Sequence, residues 1–121
     1  MTVPNWLRSI TINAQFRTHQ DDWQLVQILL NERGGTYATP DGEEEGVFTC
    51  LAAGNHPEGG SVLVLHWREH KGPFAGFSGI DTLWFQEREE EIKVSGTFFA
   101  DNSNDYGEIR SYSKKLVEMV G

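Results

Sequence analysis

The sequence predicts an α+β domain, with residues 1–121 forming one unit in which a mostly antiparallel sheet of about five or six strands carries two helices on one face. Three observations lead there. Residues 6–17 alternate between apolar and polar side chains, the period of a half-buried strand. Aliphatic residues within 20–33 recur at helical spacing between an acidic start and a Gly34-Gly35 stop. The rest is a series of short β-prone runs separated by turns rich in Gly, Pro, Asp and Asn.

In the first segment Trp6, Ile10, Ile12, Ala14 and Phe16 fall on one side and Ser9, Thr11, Asn13, Gln15 and Arg17 on the other. The helix expected over 20–33 has Thr18 and Asp21 at capping-box spacing, a stripe of Trp23, Val26, Leu29 and Leu30 widened by Leu25 and Ile28, and Arg33 at its end. A short segment at Thr36 to Ala38 leads into the Pro40-Asp41-Gly42 turn, and Val47 to Ala53 reads as a strand. The loop Gly54 to Gly60 joins it to Val62 to Trp67, apolar on both faces and therefore expected as a central strand. Gly72 to Gly79 breaks regular structure, after which Ile80 to Gln86 and Ile92 to Phe99 form a candidate hairpin. A polar turn from Asp101 to Gly107 follows, and Tyr112, Leu116 and Met119 recur at the spacing of a short C-terminal helix.

Ten Lys plus Arg against eighteen Asp plus Glu give a net charge of −8. Eight of the acids sit in two runs, Asp41-Gly42-Glu43-Glu44-Glu45 and Glu87-Arg88-Glu89-Glu90-Glu91, each beside a strand-like stretch and so expected as a charged loop. Such a field disfavours nucleic acid and anionic membranes as partners and favours a basic protein. The single cysteine, Cys50, allows no intrachain disulfide, and its apolar neighbours suggest a small buried hydrophobe. Met1 to Trp6 has no apolar leader region, and the longest aliphatic run is Val62 to Leu65, so a cytoplasmic location is expected.

Two motifs bear on metal chemistry. His66-Trp67-Arg68-Glu69-His70 spells the inverted zincin pattern, which works only when both histidines project from one face of a helix. The preceding β-prone run and the following Gly72-Pro73 leave no room for that helix, so no catalytic or metal-ligating residue is assigned and no cofactor is expected. Asp101 to Glu108 has the alternating oxygens of a calcium loop, but Tyr106 replaces the turn glycine and Tyr112 the bidentate glutamate.

In size, α+β character, acidity and cytosolic features the chain resembles bacterial immunity proteins, which cover the active site of a cognate toxin, often a basic nuclease. The resemblance implies stoichiometric inhibition of a basic toxin or nuclease domain, and it carries over no individual residue. The residues expected to serve a protein interface are read from the chain itself. Glu43, Glu44, Glu45, Glu87, Glu89, Glu90 and Glu91 would steer the partner, joined by Asp101, Asp105 and Glu108. Phe74, Phe77 and Tyr106 would anchor it, although Phe74 and Phe77 could equally fold back over the sheet edge. Binding of calcium or another small ligand is the alternative, and a small metal-dependent enzyme the third.

Overall fold

A computed structural model describes residues 2–18, 21–101 and 105–112, and these form a closed barrel of eight strands in which each strand is antiparallel to the next. The strands are β1 Thr11–Thr18, β2 Gln24–Asn31, β3 Gly34–Ala38, β4 Glu45–Asn55, β5 Ser61–Lys71, β6 Ser78–Arg88, β7 Glu91–Ala100 and β8 Tyr106–Ser111. β8 pairs back onto β1 from Ala14↔Ser111 to Thr18↔Gly107, which closes the sheet. The only helical element among the described residues is one 3-10 turn, Asn5–Leu7. The expected α+β class is therefore corrected to all-β, and the C-terminal helix expected around Leu116 and Met119 lies outside the described residues.

The segment 20–33 misleads because five of its six residues from Leu25 to Leu30 are aliphatic, so helical and strand periodicities both find matches. Burial separates them. Val26, Ile28 and Leu30 are 7, 2 and 1% exposed, whereas Leu25 and Leu29 are 37 and 45% exposed. That is a period of two. Pairing on both sides holds the segment extended, with Ile28 opposite Ile12 of β1 and Tyr37 of β3. Gly34-Gly35 opens β3 instead of ending a helix. A Cβ at either position would run into the backbone of a neighbouring strand. The Asn31 side chain shapes this reversal by accepting hydrogen bonds from the backbone N–H groups of Arg33 and Gly34, both at 3.1 Å.

Because each strand reverses direction, the β1–β2, β3–β4, β5–β6 and β7–β8 connections gather at one end, and the other three gather at the opposite end. The N-terminal segment stops the second end. Val3 and Leu7 are fully buried, and the Val3 N–H donates to Glu32 O at 2.8 Å. The Trp6 indole N–H donates to Ser61 Oγ at 3.0 Å, so Trp6 belongs to the stopper and not to the first strand. Above it Leu63, Leu65, Leu83 and Phe85, all at 0% exposure, fill the barrel. β5 is not a central strand, since a closed barrel has no edge. Its inward side chains are Leu63, Leu65 and Trp67, while Val62 and Val64 stay half-buried on the outer face.

Towards the first end the packing changes character. Three large rings lie inside the barrel, each directly opposite a glycine on the next strand: Tyr37 opposite Gly46, Trp67 opposite Gly79 and Phe98 opposite Gly107. At each glycine an added Cβ would collide with that ring. Eight strands leave an interior just wide enough for side chains, so a ring lying across the lumen needs a missing side chain beside it. At the stoppered end, the β6–β7 hairpin turns through Glu89 and Glu90, both with positive φ (51° and 65°), as a two-residue type I′ turn requires.

Gly79→Ala is expected to destabilise the barrel by about 1–3 kcal/mol in urea denaturation, the usual cost of overpacking. Gly54→Ala, with nothing within 4 Å of its Cβ, should stay within about 0.5 kcal/mol of the parent. Glu90→Gly should stabilise by about 1 kcal/mol, because glycine adopts the left-handed turn conformation without the Cβ penalty.

Candidate functional site

The open end of the barrel holds a cavity of about 70 Å³. Its walls are aromatic and aliphatic: Phe16 from β1, Val26 and Ile28 from β2, Tyr37 from β3, Phe48 from β4, Trp67 from β5, Phe98 from β7 and Ile109 from β8. All follow the inward parity of their strands. The rings form a connected lining, with Tyr37 and Phe48 at 4.8 Å between centroids and the Phe98 ring edge-to-face with Phe16 at 6.2 Å and Trp67 at 6.3 Å. Two carboxyl groups complete the wall, Glu69 from β5 and Asp81 from β6.

Outward from it, a hollow of about 210 Å³ shares Phe16, Trp67, Glu69 and Phe98 with the cavity. Thr18, Asp21, Gln24, Glu44, Phe74, Phe77, Ala100 and Asp105 complete this hollow. Among the described residues neither lining contains a lysine, arginine or histidine.

Three buried polar atoms on residues that line the inner cavity, Tyr37 Oη, Trp67 Nε1 and Glu69 Oε2, lack a hydrogen-bond partner among the described residues. Buried polar groups are nearly always satisfied, so three around one cavity mark it out. Asp81 is 5% exposed, and burial pushes its carboxyl well above the ordinary range, keeping it protonated. Glu69 is pushed up to about 7, first by burial and then by the neighbouring Glu44 carboxylate. Burial, followed by Glu69, Asp81 and Glu44, raises the Tyr37 hydroxyl so far that it remains a donor. The residues around the cavity therefore carry an indole N–H, a phenol, a carboxyl group raised by burial and one that ionises near neutrality, set among apolar side chains.

The residues expected at an interface divide between the two ends. Glu43, Glu44 and Glu45 lie in or beside the β3–β4 turn, Phe74 and Phe77 in the β5–β6 connection, and Asp101 and Asp105 in the β7–β8 connection, all at the open end. Glu87, Glu89, Glu90 and Glu91 form the β6–β7 hairpin at the stoppered end. At roughly 3.3 Å per residue, β6 alone puts some 30 Å of strand between the two acidic runs. Tyr106 and Glu108 are strand residues of β8. Tyr106 is 52% exposed, and Glu108 accepts from Arg17 at 3.1 Å on the outer wall. Phe74 is 50% exposed and rests on the half-buried Phe77, with ring centroids 5.7 Å apart. In the β3–β4 turn the Thr39 hydroxyl and the Glu43 N–H hold the Asp41 carboxyl below its usual range, while partial burial raises that of Glu44.

The zincin pattern is broken by strand geometry. His66 and His70 stand on β5 roughly 13 Å apart along the strand, and Glu69 points inward on the opposite face. In the calcium-like stretch, Asn102, Ser103 and Asn104 lie outside the described residues, Asp101 accepts from the Ser78 hydroxyl at 3.4 Å, and residues from Tyr106 onward are strand. Among the described residues no three His, Cys, Asp or Glu side chains gather as metal ligands. Cys50 is 5% exposed, and burial raises its thiol.

Sequence reading missed Tyr37, Trp67, Asp81 and Phe98 as site residues and met Glu69 only as part of the zincin pattern. A signal did exist. Asp81 continues the inward row of Leu83 and Phe85, and Glu69 that of Leu63, Leu65 and Trp67, so each row ends on an acid at the same end of the barrel.

Folded, Glu69 holds its proton up to about pH 7, against 4.5 for an ordinary glutamate. The folded state binds the extra proton between those values, so its stability is full below pH 4.5 and falls as pH rises through the window. Glu69→Gln should remove much of this fall. In chemical denaturation we expect the variant to be more stable than the parent by about 1 kcal/mol at pH 8, after discounting for solvent screening, and equal to it at pH 4. No family model matches this chain, and no curated protein or solved structure does.

Proposed function

We propose that this protein binds a small organic molecule in the open end of its barrel, with a polar head in the inner cavity and an apolar body in the hollow above it. The observation that carries this reading is the group of three buried polar atoms without a partner among the described residues, Tyr37 Oη, Trp67 Nε1 and Glu69 Oε2, on residues around a cavity otherwise lined by rings and aliphatic side chains. Ligand sites have this composition: mostly apolar walls for affinity and a few converging polar groups for orientation. Water satisfies such atoms as well as a ligand does, but water alone gives no reason for the rings. The division of the barrel also supports binding, since one end is stoppered by Val3 and Leu7 and the other is hollow.

The test is a screen of small amphiphilic fragments by NMR, following the indole resonance of Trp67. Fragments that bind should shift that resonance and raise the melting temperature by linkage. Val26→Phe, which fills the cavity, should abolish both effects, and Trp67→Phe should weaken binding while leaving the fold intact. If no fragment moves the Trp67 resonance in the parent protein, the cavity is a packing feature and the proposal fails.

A second reading, a basic protein docked on the open rim, is supported by the half-exposed Phe74 in the same rim as Glu43, Glu44 and Glu45. Only this acidic run lies beside the aromatic loop, which narrows the interface expected from the sequence to one end. Replacing all three glutamates by lysine should slow association with such a partner and remove its salt dependence, while leaving fragment binding in the inner cavity unchanged.

A further inference from the structure

We infer that the ligand of this barrel is a small organic cation whose ammonium head is held by the Asp81 and Glu69 carboxyl groups against the aromatic wall, with its apolar body leaving through the hollow. The inference rests on the reading of the cavity as a ligand site and specifies the chemistry of its occupant.

Charge supplies the first reason. Among the described residues the inner cavity presents two carboxyl groups and no basic side chain, and the hollow adds Asp21 and Glu44, again with no basic side chain. A bound anion would face Asp81, Glu69, Asp21 and Glu44 with no countercharge among the described residues. A cation approaching a chain of net charge −8 is attracted from a distance, and each acid of the hollow adds to that attraction locally. The walls act in the same sense. Tyr37, Trp67 and Phe98 line the cavity, and an aromatic ring face carries the negative part of the ring quadrupole, which attracts a desolvated cation.

Asp81 supplies the second reason. A carboxyl group at 5% exposure, with no compensating charge or hydrogen bond from the described residues, contributes nothing to the fold that an apolar residue of similar size would not contribute better. An ammonium ion is the partner that changes this balance. It ionises the acid and pairs with it, and the proton passes to solvent. Glu69, poised near neutrality, responds in the same way. The other titratable groups facing them are Tyr37 and Glu44, and Asp21 and Asp105 further out. Binding should therefore release protons.

Volume sets the shape. A cavity on the order of 150 Å³ admits benzene, so about 70 Å³ takes a head group and no ring. The hollow of about 210 Å³, flanked by Phe74 and Phe77, takes the rest. Trp67, 8% exposed, has an N–H without an acceptor, which an oxygen close to the ammonium would supply.

A matched series tests this: 2-phenoxyethylamine, its neutral analogue 2-phenoxyethanol and its anionic analogue phenoxyacetate, titrated by calorimetry at pH 6 in two buffers of different ionisation enthalpy. The amine should bind at least about tenfold more tightly than the alcohol, with proton release, and phenoxyacetate should not bind. Asp81→Asn and Glu69→Gln should each weaken the amine by about tenfold and leave the alcohol unchanged. If alcohol and amine bind equally, or amine binding releases no proton, the cation inference is overturned while the ligand site stands. If none of the three binds but neutral fragments do, the inference is likewise wrong. If the amine binds undiminished to Val26→Phe, it binds outside the cavity, and both the inference and the site are overturned.

Discussion

Closure of the sheet between β1 and β8 is the constraint on which everything else depends. Once Phe16 pairs with Ile109 and Thr18 with Gly107, the sheet is closed, and each strand has one face turned towards a lumen of fixed width. Side-chain parity then decides a residue's fate: inward positions must share a narrow interior, and outward positions are free. The two ends resolve that demand differently. At one end Val3 and Leu7 of the N-terminal segment bury themselves below Leu63, Leu65, Leu83 and Phe85. At the other, glycines let three rings lie across it and leave a cavity between them.

The same closure explains why the polar groups of the cavity are costly. Asp81 and Glu69 face inward because β6 and β5 are locked in register on both sides, and neither can slip by one residue without turning a whole row of core side chains outward. Leu63, Leu65, Leu83 and Phe85 thus hold the two acids in a place they would not occupy alone. Local destabilisation imposed by a rigid scaffold is what a preformed binding site looks like energetically. The stoppered end supplies the compensating core.

The two acidic runs belong to this geometry as connections, not as one surface. A meander sends β3–β4 and β6–β7 to opposite ends of the barrel, so the run at Glu43 to Glu45 borders the cavity mouth and the run at Glu87 to Glu91 does not. Their shared composition is solvated hairpin chemistry. The first includes a raised acid, Glu44, that contributes to the field around Glu69.

By itself the sequence determined where the chain alternates and where it turns. The inward row Ile12, Ala14 and Phe16, the hairpin from Ile80 to Phe99 and the loop from Gly54 to Gly60 are all written in local patterns of period two and in turn residues. Tertiary structure alone decided that 24–31 is a strand, because five aliphatic residues in six satisfy either period and only pairing with β1 and β3 chooses between them. It alone decided that the sheet closes, since pairing of β1 with β8 joins residues about ninety positions apart, beyond the reach of any local pattern. The site follows from that closure. Period two marks Glu69 and Asp81 as ends of inward rows, but Tyr37, Trp67, Glu69, Asp81 and Phe98 lie on four strands and converge only when the barrel is shut, so no spacing along the chain records their meeting.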